Sequence, residues 1–486
     1  MTLLGRIDAW ATESPDRIAH RSSGRTLTYA ELRAASDALA ARLAMRLPDD
    51  GSPVAVVGHK EPEMLIAFVA CAKAGHPYVP IDTAMPAQRI ARIVELAAAP
   101  LTLTPETVAE LSTGVLTAPP RAQSSGDGRY IIFTSGTTGD PKGVVITAGC
   151  LDAFLEWFEA EQDFRAGAET FLNQTTFSFD LSVMEIWPAL ASGATIESLT
   201  REELDDATRL YARLAAASPT VWVSTPSFFR LCLAERRFGR EMLPHVRRLI
   251  FCGEVLPPSV AAAALERFPD AAVWNTYGPT EATVACTSIR LDRALLDRYP
   301  QLPIGRPMPS GRTFVAGDDG APVANGEFGE LVIAGPNVSP GYFGCPDLTA
   351  RAFFTLDGMR AYRTGDRGHV TDGLLFCDGR LDRQIKLHGY RIELGDIEAH
   401  LCALPGVRDA VVFPEFRGET AIALQAVLLA DGPELPAPAD AAATVRAQLA
   451  ERLPQHMLPR RIRFVSELPM TPNAKVDRQR VADMLR

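Results

Sequence analysis

Thr134-Ser135-Gly136-Thr137-Thr138-Gly139 is a run of hydroxyls and glycines, and Lys142 follows it within YIIFTSGTTGDPKGV, Tyr130 to Val144. A run of this kind is built to hold phosphate. Glycines let the backbone curl so that successive amide hydrogens meet in one concavity, hydroxyls add donors, and the lysine supplies a fixed positive charge. Taken alone, such a run is more often a glycine turn beside a solvated lysine. Gly143 follows Lys142 where G-x-x-x-x-G-K-[ST] requires Ser or Thr, which disfavours an ordinary P-loop kinase or GTPase.

Asp180 is the second residue with chemical potential. It stands between Phe179 and Leu181 in FLNQTTFSFDLSVMEIW, Phe171 to Trp187. A carboxylate in such apolar company must be paired or lose its charge, because an isolated buried ion is costly. Two partners suit it. Either Asp180 caps a helix by accepting from the following amides, or a ligand ammonium neutralises it, and then the substrate is an amino acid.

Such residues need elements to aim them. The bulky run Tyr130 to Phe133 is strand-like and empties into the glycine-hydroxyl loop. Before it, Leu27 to Leu32 leads into a helical pattern through Leu47, Pro53 to Gly58 reads as a strand, and Glu61 to Ala74 as a helix capped by Gly75. Tyr78 to Ile81 follows as a strand. After the loop come a helix near Leu151 to Glu161, a strand from Thr195 to Leu199, a helix from Arg201 to Ala217, and strands at Val221 to Ser224 and Leu249 to Glu254. This alternation predicts an α/β fold, with parallel-type sheets covered by helices and catalytic loops beyond the carboxyl ends of strands. From Pro303 the pattern shifts to short strands with Gly and Pro between them, a smaller β-rich subdomain. The remainder reads as a separate α+β unit, with a helix from Leu394 to Ala403, strands within Asp409 to Val412 and Ala421 to Leu429, and a helix from Thr444 to Leu453.

The 486 residues allow about three ordinary domains. Hydrophobic residues at 47% and charged residues at 22% are those of a packed globular chain. A net charge of −10 without any Lys/Arg run disfavours wholesale nucleic-acid binding. The start, MTLLGRIDAWATESPDR, reads as an amphipathic helix and not as a secretory signal. The longest apolar run, Met64 to Ala72, is about half of the ~20 residues that cross a membrane. No membrane insertion is expected, and the chain reads as a cytoplasmic monomer. Its 8 cysteines lack C-x-x-C spacing, which argues against a zinc site and against a disulfide framework.

The full string from Tyr130 to Val144 resembles the phosphate loop of the adenylate-forming superfamily, which includes acyl-CoA synthetases, luciferases and the adenylation domains of nonribosomal peptide synthetases. Further strings carry the resemblance over essentially the whole chain: AKAGHPYVPID from Ala72, NTYGPTE from Asn275, YRTGD from Tyr362, GRLDRQIK from Gly379 and MTPNAKVDR from Met470. The resemblance implies ATP and Mg²⁺ as cofactors. It implies that Thr134, Ser135, Gly136, Thr137, Thr138, Gly139 and Lys142 hold the phosphates, and that Asn275, Thr276, Tyr277, Gly278, Pro279 and Thr280 belong to the adenine and metal motif, with Glu281 on the metal. Asp366 would accept both ribose hydroxyls beside Arg380. Lys475, by itself a surface lysine, would be the catalytic residue that bridges the substrate carboxylate and the nucleotide.

The same resemblance divides the chain into an adenylation core, 1–381, and a small mobile C-terminal domain, 382–486, that turns about Asp382 and carries the lysine loop. Gly389 would let a phosphopantetheine arm pass close to the backbone. The implied partners are a small amino acid and an acyl or peptidyl carrier protein. FDLSVMEIWPAL, STPSFFRLCL, IFCGEVLPPSV and GRLDRQIKLHGYRIELGDIE look like the D-alanine:D-alanyl carrier protein ligases. The implied amino-acid site is Asp180, Leu181, Met184, Val223, Ile250, Cys252, Thr276, Val284, Ala285 and Lys475. It suits a small apolar side chain, D-alanine first. Cys252 either sets the D-configuration or is a plain small hydrophobe. Two substitutions depart from the usual text: Pro340 stands where Arg is frequent and Ala474 where Gly is usual. L-Ala, Gly, Ser or Pro activation for a secondary metabolite, or an acyl-CoA synthetase without use for Asp180, are the alternatives.

Overall fold

Alternating apolar runs become parallel strands under helices in the computed structural model, which describes residues 1–114, 124–136, 140–387, 389–417, 420–430, 438–469 and 476–483. The chain divides into two units: Met1–Thr83, Val94–Phe133 and Gly143–Leu381 form one, and Ala84–Ile93, Thr134–Lys142 and Asp382–Arg486 the other. The fold is α/β.

The first unit holds a nine-stranded sheet. Six neighbouring strands, Ala272–Tyr277, Arg248–Phe251, Val221–Ser224, Thr170–Asn173, Thr195–Ser198 and Ile18–Ser22, run parallel. Antiparallel strands close both edges, Thr287–Leu291 and Arg306–Pro307 on one side and Arg25–Thr28 on the other. A six-stranded sheet has the order Gly341–Tyr342, Lys142–Thr147, Gly128–Thr134, Tyr78–Asp82, Val54–Gly58, Leu101–Leu103. The helix Pro62–Ala74 is buried along its whole length, which is why its sequence is apolar all round. Each large side chain so buried contributes about 1.5–3 kcal/mol. Gly75 ends it with φ 81°, the left-handed turn that glycine takes at least cost.

The β-rich region is a five-stranded antiparallel sheet built on the long strand Met359–Thr371. Two expected helices differ: that expected from Thr444 to Leu453 spans Pro438–Ala450, and another is split. The stretch Arg201 to Ala217 forms two helices, Arg201–Leu204 and Ala207–Ala217. The break falls at Asp206, whose carboxylate accepts from the amides of Thr208 at 2.8 Å and Arg209 at 3.0 Å and so starts a new helix.

In the second unit, a hairpin of Gln384–Leu387 and Tyr390–Glu393 precedes the helix Leu394–Cys402. Val407–Arg417 pairs antiparallel with Thr420–Ala430, which pairs parallel with Arg461–Val465. Ile392, Ile397, Leu401, Val412, Ala426, Leu428 and Leu449 lie in its own apolar core. No helix among the described residues is long and apolar enough to cross a membrane.

Candidate active site

In the first unit several candidate residues lie at or just beyond the carboxyl ends of parallel strands. Asn275, Thr276 and Tyr277 end the strand Ala272–Tyr277. The Asn275 amide donates to Pro303 O at 2.8 Å and the Thr276 hydroxyl to Phe251 O at 2.9 Å, so both brace adjoining chain. At Gly278 a Cβ would stand 2.6 Å from Ala285 Cα, a place only glycine can fill. Pro279 then leads into the short 3₁₀ turn Thr280–Ala282. Thr283 and Val284 follow at φ 54° and 70°, conformations that cost β-branched residues energy and that cluster at functional sites.

Tyr277 donates its hydroxyl to Asp366 Oδ2 at 2.5 Å, and Arg380 donates to Asp366 Oδ1 at 2.8 Å. Burial, reinforced by the Asp366 carboxylate, raises the Tyr277 phenol well above its usual range. Asp366 and Arg380 face each other across the paired strands Met359–Thr371 and Leu374–Arg380.

Asp180, 7% exposed, begins a 3₁₀ turn and accepts at Oδ2 from the Thr280 hydroxyl at 2.6 Å. The carboxylate thus has a protein partner as well as apolar surroundings. Leu181, Met184, Val223, Ile250, Cys252, Val284 and Ala285 all lie in one apolar cluster, and Cys252 Sγ is 4.0 Å from Val284 O. None of these side chains carries a carboxylate, ammonium or guanidinium group.

Glu281 is fully buried, and its Oε1 accepts from the Tyr342 hydroxyl at 2.8 Å. Sequence reasoning gave Tyr342 no role. Only the fold makes this contact, and no local pattern announces it. Among the described residues no group of three or more His, Cys, Asp or Glu could hold a metal by itself. A single buried carboxylate is nonetheless the donor Mg²⁺ commonly uses, with substrate phosphates and water completing its shell.

The second unit contains most of the phosphate-type loop. Ser135 Oγ donates to Arg391 O at 2.9 Å and accepts from Glu393 N at 3.1 Å. Asp140 accepts both arms of the Arg92 guanidinium, at 2.8 and 2.7 Å, which lowers its pKa. Among the described residues the buried Thr134 hydroxyl has no hydrogen-bond partner, in a loop expected to meet phosphate. At Gly136 any Cβ would collide with Asp140 O. Lys142 opens the strand Lys142–Thr147. Asp382, the first residue after the boundary, accepts from Gln384 N at 3.0 Å. Gly389 sits in the turn of the hairpin at φ 85°, so the turn itself requires glycine. Thr137, Thr138, Gly139 and Lys475 lie outside the described residues.

The sequence profile described as AMP-binding enzyme matches residues 7–343, and that of the AMP-binding enzyme C-terminal domain matches residues 396–475. The chain belongs to the AMP-binding enzyme family. Curated relatives of this AMP-binding enzyme include D-alanine--D-alanyl carrier protein ligases from Bacillus cytotoxicus, 45% identical over 99% of each chain, and from Bacillus cereus, 44% identical over the same shares. A solved structure of an artificially fused adenylation–PCP di-domain from Klebsiella oxytoca superposes with a TM-score of 0.83 at 26% identity, covering 95% of this chain and 93% of that one. Family and relatives together make the protein an AMP-forming ligase.

Proposed function

We propose that this AMP-binding enzyme activates D-alanine and passes it to the phosphopantetheine thiol of a carrier protein. In the first step a carboxylate oxygen attacks the α-phosphorus of ATP, the bond to the β-phosphate breaks, and pyrophosphate leaves with D-alanyl-AMP remaining. In the second, the thiol sulfur attacks the acyl carbon, the acyl–phosphate bond breaks, and AMP leaves as the thiol proton is lost. Both reactants of the first step are anions, so charge must be neutralised as it grows.

Asp180 carries this reading. A carboxylate at the head of a buried apolar cluster, already oriented by Thr280, has the charge and position to take a substrate ammonium. An apolar, uncharged set of neighbours then suits a methyl group. The 44–45% identity to ligases named for D-alanine and a D-alanyl carrier protein supports the same choice.

The other roles follow residue by residue. Thr134 to Lys142 receives the β- and γ-phosphates, Asp366 with Arg380 the ribose, and Glu281 holds Mg²⁺, which when bound neutralises phosphate charge. Lys475 meets the carboxylate and the nucleotide, and residues 382–486 move about Asp382 between the two steps. Gly389 admits the pantetheine arm. The test is product identification: the enzyme, ATP, Mg²⁺ and free pantetheine are incubated with D-alanine or with acetate and propionate, and the products are separated. D-alanyl-pantetheine, AMP and pyrophosphate should form together. Thioester formation from the plain acids alone would overturn the role of Asp180.

A further inference from the structure

The stretch Asn337 to Tyr342, NVSPGY, converges on Glu281 from several directions. Asn337 Nδ2 donates to Ala282 O at 2.8 Å, and Thr283 Oγ1 donates to Asn337 O at 2.7 Å. Ser339 N donates to Glu281 O at 2.9 Å. The backbone on both sides of the carboxylate is therefore tied to one segment. That segment is itself anchored: Gly341–Tyr342 pairs with Val144 and Val145, Ser339 Oγ donates to Val145 O at 2.6 Å, and Arg360 donates to Ser339 O at 2.6 Å and to Pro340 O. Arg360 thus clamps the carbonyls of Ser339 and Pro340.

The side chain is held as well. Tyr342 is 7% exposed, its ring meets Phe353 edge-on at 5.4 Å, and its hydroxyl donates to Glu281 Oε1 at 2.8 Å. Thr283 and Val284 keep positive φ only because their surroundings over-determine them, and the Asn337 contact is one such determinant.

We propose that Tyr342 is a positioning residue for Glu281, its hydroxyl fixing the carboxylate in the orientation that meets Mg²⁺. The inference rests on the reading of Glu281 as the metal residue. A hydrogen bond to a metal-binding carboxylate orients it and tunes its basicity, and losing such a partner costs about 10–100-fold in metal affinity. A merely structural tyrosine would instead affect packing or nucleotide affinity without regard to metal.

Tyr342→Phe keeps the ring on Phe353 and removes only the donor. ATP binding to the full chain is measured by calorimetry across a Mg²⁺ titration and again in excess chelator, for the wild type, Tyr342→Phe and Glu281→Gln. The expected result is a rise in half-saturating Mg²⁺ of about 10-fold in Tyr342→Phe, at least as large a rise in Glu281→Gln, and unchanged metal-free ATP affinity in Tyr342→Phe. A shifted Glu281→Gln beside an unshifted Tyr342→Phe would overturn the positioning role. An unshifted Glu281→Gln would remove the metal reading and this inference with it. Equal loss of ATP affinity with and without metal in Tyr342→Phe would show a packing role and also overturn it.

Discussion

Cys252 follows the strand Arg248–Phe251 and packs, 2% exposed, against the backbone of Val284 in the apolar cluster beside Asp180. We propose that, with the substrate ammonium on Asp180, a sulfur atom there takes up room next to the α-carbon and favours one configuration of the methyl group. Removing one such atom from an apolar pocket is worth about 1–3 kcal/mol of discrimination. Cys252→Ala should lower the ratio of kcat/KM for D-alanine over L-alanine by about 10-fold in pyrophosphate exchange. A ratio that does not change would reduce Cys252 to a small core residue. Asp366 shows the same economy, since one carboxylate serves Tyr277 on one oxygen and Arg380 on the other, and is thereby oriented before any nucleotide arrives.

A buried polar network joins several elements around Asn173, the end of the strand Thr170–Asn173. His20, on the strand Ile18–Ser22, shares a 2.8 Å hydrogen bond with Ser198, which donates to Asn173 Oδ1 at 2.7 Å. Asn173 and Thr175 both donate to Glu185 on the helix Val183–Ser192, and the Lys60 ammonium donates to the carbonyls of Asn173, Gln174 and Leu199. Burial presses the Lys60 pKa down and the Glu185 pKa up. Burial first, and then the charges of Lys60, Arg213 and Arg25, push His20 down to about 3 from 6.5. Between these values the unfolded chain binds a proton at His20 that the native chain refuses, so His20 contributes stability above pH 6.5 that is lost as pH falls towards 3. The slope is at most about 1.4 kcal/mol per pH unit. Glu185 acts in the opposite sense above its ordinary value of 4.5, so the His20 contribution stands out below that pH. His20→Asn should therefore lose melting temperature less steeply than the wild type as pH falls below 4.5. Parallel slopes would show that His20 does not govern acid sensitivity. The network ties down the strand end from which the Asp180 turn departs.

At the scale of the whole molecule, the layered α/β architecture was legible because period-two and period-3.6 patterns alternate and because the motif strings fall where strands end. Several helix boundaries were read within a few residues, but the helix expected from Thr444 to Leu453 spans Pro438–Ala450, the helices Pro226–Cys232 and Pro258–Arg267 were not read, and at Asp206 a cap inside a continuous helical pattern split one helix into two. The pairings of Thr280 with Asp180 and of Tyr342 with Glu281 were not legible, since each joins residues far apart in sequence and leaves no periodic trace. The clustering of Ala84–Ile93 and Thr134–Lys142 with the C-terminal residues is likewise a product of tertiary contacts. The central claim, that this AMP-forming ligase selects D-alanine through Asp180, is tested most directly by ATP–pyrophosphate exchange. D-Ala, L-Ala, Gly, D-Ser, L-Ser, L-Pro and β-Ala are compared in the wild type and in Asp180→Ala. The account predicts a dominant D-alanine signal that Asp180→Ala loses by about 10²-fold or more, the scale set by removing a preorganised charge. Dominance of another amino acid, or D-alanine exchange that survives in Asp180→Ala, would contradict it.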